Sequence, residues 1–210
     1  MMTRHTRNAP NATRRGALAL GLGAASLSLA APALALSPSE AEAFVDGVIV
    51  DLRGIIDGGD AGPAGAARFL ALLEEKAAID AVAKFAMGRT WLDMSGDQQT
   101  AYGSAFRTYI SQTYQSRFGE YAGEDLIVTG SLDAGSKGVL VKSLLKRPQA
   151  EDIVVEWLVS DRSGAVLLSD IVFEGVSLAI TLRETFGGMV ETRGGDIDRF
   201  IADLAASKGA

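Results

Sequence analysis

The chain contains no cysteine, and its only histidine, His5, lies at the N-terminus. Without cysteine there is no disulfide framework, no thiol nucleophile and no thiolate metal site. With no histidine after His5, the remaining chain has no Ser-His-Asp triad and no Cys/His zinc site. Acid–base chemistry would fall to Asp, Glu, Lys, Tyr or Ser alone. Phosphate loops are missing too. Gly58-Gly59 and Gly194-Gly195 lack the Lys-Ser/Thr or further glycine at the required spacing, so they read as turns and helix ends. Beyond the N-terminal segment, no apolar run is long enough to span a bilayer.

What is present is a globular composition. Of 210 residues, 48% are hydrophobic and 22% charged, enough for one domain with a sizeable core. Residues 1–35 stand apart from it. They have a basic start, an apolar run from about Gly16 to Ala31, and small residues at Ala33-Leu34-Ala35. This is the layout of a secretory signal with an A-x-A cleavage site. Thr13-Arg14-Arg15 fits either the twin-arginine route or an ordinary signal that happens to hold two adjacent arginines. Cleavage near Ala35 would remove Arg4, Arg7, Arg14 and Arg15, leaving 16 basic against 26 acidic residues and a net charge of −10. An acidic surface disfavours nucleic acid and anionic membranes as partners.

Residues 36–210 read as helices, then strands, then helices. Ser37-Pro38-Ser39-Glu40 opens a helix that ends at Gly58-Gly59. A second, shorter helix holds Phe69 to Leu73. A third runs from Ala77 to Leu92, interrupted near Gly88. Ser95-Gly96-Asp97-Gln98 is a capping-box pattern ahead of the clearest helix, where Tyr102, Phe106, Tyr109, Ile110, Tyr114 and Phe118 recur at a period near 3.6. After Gly123 the period changes. Four strand candidates follow, at 126–128, 138–145, 152–159 and 165–173, separated by short turns. Two helices close the chain, from Ser177 to about Val190 and from Asp196 to about Ala206. The fold class is α+β: an antiparallel, four- to five-stranded meander packed against several helices.

The stretch DIVFEGVSLAITLRETF, Asp170 to Phe186, carries the sharpest functional question. A strand passes into a helix within four residues, and Asp170, Glu174, Ser177 and Arg183 stand among apolar neighbours. One reading makes Asp170 or Glu174 a general base in an apolar pocket. The other makes Ser177 a helix cap and a carboxylate–Arg183 pair the brace of a corner. The second is favoured, because this stretch has no partner histidine and no Gly-rich phosphate cradle nearby. The aromatic helix also has two readings, core or the mouth of a cavity, and both stay open.

Several blocks together resemble the MlaC/toluene-tolerance family of periplasmic lipid-binding proteins. They are Phe85-Ala86-Met87-Gly88-Arg89-Thr90-Trp91, Ser95 to Gln98, the Phe106…Tyr109…Tyr114 helix, and above all Asp170 to Leu178 followed by Arg183 and Phe186. The similarity runs from about Ser39 to Leu204. Two positions depart from the family pattern: Leu182 replaces the usual aromatic before the arginine, and Ala165 to Leu168 lacks an aromatic.

The resemblance implies a single lipid-binding domain over 36–210 with acyl chains held between sheet and helices. The implied function is a soluble periplasmic carrier, not an enzyme, moving phospholipid between the outer membrane and an inner-membrane ABC transporter, which maintains outer-membrane lipid asymmetry. The implied partners are an outer-membrane lipoprotein/porin complex and an MCE-domain transporter. The protein would be a monomer with no cofactor and no metal, its cargo aside. Expected pocket residues on the helices are Trp91, Phe106, Tyr109, Ile110, Leu178, Leu182, Phe186 and Met189. Those on the strands and their ends are Val139, Val141, Val155, Trp157, Phe173 and Val176. Asp170, Glu174, Ser177 and Arg183 form the expected polar corner. A hopanoid or other polycyclic cargo, a small carboxylate-based enzyme and an adaptor with a filled core are the alternatives.

Overall fold

The computed structural model describes residues 36–58, 63–115, 124–148 and 150–207. The expected signal segment, and Arg117, Phe118 and Tyr121 of the aromatic helix, lie outside the described residues, as does the side chain of Tyr114.

Helix α1 (Pro38–Asp57) begins where the sequence places it. Ser37 accepts from the Glu40 N–H while the Glu40 carboxylate accepts from the Ser37 N–H at 2.9 Å, a complete capping box with Pro38 in the first turn. Helix α2 (Pro63–Lys76) runs to 14 residues. The third expected helix is split into α3 (Ile79–Met87) and α4 (Thr90–Asp93). Gly88 makes the break, because its φ of +55° is a conformation few side chains adopt. Helix α5 (Gly96–Gln115) starts from the reciprocal Ser95–Gln98 box.

The strands are β1 (Asp125–Asp133), β2 (Val139–Lys146), β3 (Ile153–Ser160), β4 (Leu167–Phe173) and a two-residue β5 (Val176–Ser177). They form one open antiparallel meander in sequence order. Strand β1 extends past its apolar start because Gly130, at φ +144°, absorbs a bulge and lets pairing resume. Helices α6 (Leu178–Glu191) and α7 (Ile197–Ala206) follow, capped by Ser177 and Asp196. Among the described residues, no helix is long and apolar enough to cross a membrane.

The apolar residues divide into two cores. The first lies between one face of the sheet and α1. Cross-strand rows such as Val141–Trp157–Ile171 and Val139–Val159–Leu168 meet Ala41, Val45, Val48 and Ile49. Its one buried polar node is satisfied: the Trp157 indole N–H donates to Ser143 Oγ at 2.9 Å, which donates to the Val155 carbonyl at 3.0 Å. The second core is helical. Tyr102, Phe106, Phe186 and Phe200, all within 1% of full burial, pack edge-on, tilted or stacked around one another between α3, α5, α6 and α7. The Tyr102 hydroxyl donates to the Ala83 carbonyl at 2.9 Å, tying α5 to α3, and burial pushes its phenol well above the usual tyrosine range.

The other face of the sheet is only half covered. It carries Leu140, Leu144 and Leu158 together with a half-buried Lys142–Glu156 pair at 3.6 Å. At its β3–β4 end, α3 and the start of α6 rise over it. The chain entering α3 secures that end: Ala77 bridges Leu168, and the Ala78 N–H donates to the Leu168 carbonyl at 2.8 Å, covering part of the β4 edge.

One glycine fixes the opposite corner. A 3₁₀ turn (Gly135–Lys137) joins β1 to β2, and Gly138 beyond it has φ +116° with a Cβ position only 2.0 Å from the Val159 carbonyl oxygen. Only glycine fits there. Gly138→Ala is expected to lose about 3 kcal/mol or more of stability through strain and clash. Gly130→Ala, at a positive φ with no atom within 4 Å, is expected to lose only about 1 kcal/mol. Urea unfolding of both variants checks the difference.

Candidate functional site

A cleft of about 730 Å³ opens on the half-covered face of the sheet. That size is within the range of small-molecule sites. Its floor comes from β3 and β4, through Leu158, Ser160, Leu167, Ser169 and Asp170. Helix α3, with Ala81, Val82 and Phe85, and the Ala78 that precedes it supply one wall. The start of α6 supplies the other, Ala179 and Ile180, with Ser177 at its foot. The small alanines of α3 leave the space open. Phe85 and Ile180 are 42% and 51% exposed at its rim, an unusual state for large apolar side chains unless a ligand or partner covers them.

A bulge builds the floor. Leu158 pairs with Asp170 and Val159 with Leu168, so Ser169 is the extra residue on β4. The added residue turns Asp170 toward α6. There its Oδ1 accepts from the Ile171 N–H at 2.9 Å and the Ala179 N–H at 3.0 Å, while Oδ2 accepts from the Ser177 hydroxyl. Ser177 Oγ in turn accepts from the Ile180 N–H at 3.1 Å. Two orphan N–H groups of the first helical turn are thereby satisfied, and a carboxylate sits at the positive end of α6.

The other two members of the expected polar corner do different things. Glu174 has φ +48° and Gly175 φ +83°, the pattern of a two-residue type I′ hairpin turn, and it is the Glu174 backbone N–H that is used, donating to the Val154 carbonyl at 3.0 Å. Among the described residues Glu174 and Arg183 make no ion pair. The guanidinium of Arg183 instead stacks over Phe85, 5.2 Å from the ring centroid, close beside Gly88. The expected carboxylate–Arg183 brace is absent because the Asp170 oxygens are already taken by the α6 N-terminus. Among the described residues, no basic side chain contacts those oxygens.

The expected pocket residues do not converge on this cleft. Phe106, Ile110, Leu182 and Phe186 are buried in the helical core, with Trp91, Tyr109, Leu178 and Met189 packed around them. Val139, Val141, Val155 and Trp157 lie on the sheet face that α1 covers. Phe173 and Val176 are exposed, at 42% and 61%. None of the fourteen lines the 730 Å³ cleft, whereas Asp170 and Ser177 of the polar corner do. The residues missed on β3 and β4, Leu158 and Leu167, sit on the opposite parity from those chosen. Either parity was apolar enough to qualify.

This architecture is that of a known phospholipid-binding protein. A structure of the phospholipid-binding protein from Ralstonia solanacearum in complex with a phospholipid superimposes with a TM-score of 0.62 at 21% identity. The match covers 79% of this chain and 98% of that one. The profile of the family described as MlaC protein matches residues 58–206, and the chain belongs to that family.

The corner can be tested by substitution. Asp170→Ala is expected to cost about 2–3 kcal/mol, because it strands the Ala179 N–H and the Ser177 hydroxyl, and Ser177→Ala about 1 kcal/mol. The double variant is expected to lose less than the two single effects combined, by roughly 0.5 kcal/mol or more, because both belong to one network. Denaturant unfolding of all three variants measures that coupling.

Proposed function

We propose that the protein is a periplasmic phospholipid carrier, exported by its N-terminal signal and cleaved near Ala35, with residues 36–210 as a single lipid-binding domain. It takes lipid between the outer membrane and an inner-membrane ABC transporter, acts with a porin/lipoprotein complex on one side and an MCE-domain transporter on the other, and so maintains outer-membrane lipid asymmetry. The observation that carries this reading is an open, apolar-walled cleft in a chain of the MlaC family.

The energetics suit the role. Two acyl chains expose roughly thirty methylenes, each worth about 0.8 kcal/mol on burial, so unassisted transfer through water costs on the order of 20 kcal/mol. A carrier needs apolar walls and no reactive group. A net charge of −10 on the processed chain suits docking on proteins rather than adsorption to anionic lipid. A polycyclic lipid such as a hopanoid is the second cargo that apolar walls of this kind would accept.

Mass spectrometry of the protein purified from its native host is expected to find bound phospholipid. Protein that is repeatedly lipid-free and also refuses added phospholipid would end this reading, and a polycyclic lipid in its place would change the cargo. Ile180→Asp separates binding from folding. Position 180 is in the first turn of α6, where a carboxylate favours the helix, yet its side chain walls the cleft. Its stability is expected to be unchanged or raised while lipid occupancy falls roughly tenfold, since the acid must be desolvated beside the chains. Occupancy equal to that of the parent protein would place the lipid elsewhere.

A further inference from the structure

The cleft has a polar end. Lys137, on the 3₁₀ turn before β2, and Arg162, on the β3–β4 turn, both line it there, with Ser160 and Ser163. The two turns are neighbours because Gly138 lets the first descend onto the Val159–Ser160 backbone. Among the described residues neither cationic side chain has an ion pair or hydrogen bond. The Lys137 and Arg162 backbone N–H groups are used, to the Ala134 carbonyl at 3.3 Å and Ser160 Oγ at 3.4 Å, and the charged groups are left over. The acids of the same turns are occupied by backbone donors: Asp133 accepts from the Gly135 N–H at 2.7 Å and Asp161 from the Leu36 N–H at 3.2 Å. Both acids lie with Arg162 along a separate cleft of about 320 Å³ toward α1, which Lys137 does not line. Ser160 Oγ, accepting from Arg162, keeps its own proton free to donate.

Two cations without an ion pair and a hydroxyl donor stand at one end of a cleft whose other charged lining residue, Asp170, has its oxygens held by the start of α6, and this arrangement is complementary to an amphiphile with an anionic head. Their position runs against the sign of the whole chain, whose net charge is −6. We propose that Lys137 and Arg162 grip the phosphate of a glycerophospholipid whose chains lie along α3 and α6. This rests on the carrier reading and deepens it: the cleft selects for the phosphodiester, not for apolar bulk alone.

The test compares two fluorescent probes with identical acyl chains, a phosphatidylglycerol and a diacylglycerol, titrated onto the delipidated full chain. The parent protein is expected to bind the phosphatidylglycerol roughly tenfold or more tighter, from two cations near one phosphate. Lys137→Glu/Arg162→Glu is expected to erase that preference while leaving diacylglycerol affinity unchanged. Arg89→Glu/Arg199→Glu, with the same change in net charge away from the cleft, is expected to keep it. Equal affinity for the two probes in the parent protein, or a preference that survives the 137/162 reversal, overturns the phosphate grip alone. A loss of both affinities on reversal shows a structural role for the pair and overturns it as well. Failure of the parent protein to bind either probe defeats the carrier reading together with it. Inorganic phosphate at millimolar concentration is expected to displace neither probe; full displacement of the phosphatidylglycerol would make the pair a free-phosphate site and overturn the lipid assignment.

Discussion

The carboxylate of Asp170 joins the two halves of this molecule. It belongs to the sheet by its backbone and to α6 by its side chain, through the Ala179 N–H and the Ser177 hydroxyl. Helix α6 then carries Leu182 and Phe186 into the helical core, and its first turn walls the cleft. Where α6 starts and how it leaves β4 therefore decide both the packing of four helices and the width of the cleft. The bulge at Ser169 and the tight Glu174-Gly175 turn serve that one junction. They bring the strand end and the helix start close enough for a single acid to bridge them.

Dividing the apolar residues between two cores has a functional counterpart. A sheet face covered by α1 and a helical bundle built around its own aromatics each bury their side chains without the cleft. The cleft walls are then free to stay unpacked. Phe85 and Ile180 remain at the surface because the stability of the fold does not depend on burying them. Arg183 covers one face of Phe85, a way of keeping an aromatic rim soluble without sealing it.

Much of the fold was legible in the chain. The Ser37 and Ser95 boxes, the change of period after Gly123 and the short turns of the meander each have a local physical cause, and each element formed. The Asp170–Ser177 relationship was legible in part, since a serine at a strand-to-helix join is a cap signal. Its true partners were not, because an N–H group leaves no mark in sequence while an arginine does; Arg183 therefore attracted a pairing that the first turn of α6 had already taken. The cleft was the least legible feature. Val139, Val141, Val155 and Trp157 alternate with Leu140, Leu144, Val154 and Leu158, so both faces of β2 and β3 read as core, and periodicity alone does not say which one α1 covers. Likewise, nothing in the run of alanines on α3 distinguishes a helix packed closely on its neighbour from one that leaves a gap.

The corner at Asp170 is held by neutral donors: two backbone N–H groups and a hydroxyl. Its hold on the fold therefore changes little as ions are added, whereas bare cations such as Lys137 and Arg162 are exposed to counter-ions and lose their reach within about 10 Å at moderate salt. Architecture and surface charge are thus placed on separate physical footings. The corner keeps its hold across saline and dilute surroundings, while whatever the exposed charges attract is held more loosely as the medium becomes more concentrated.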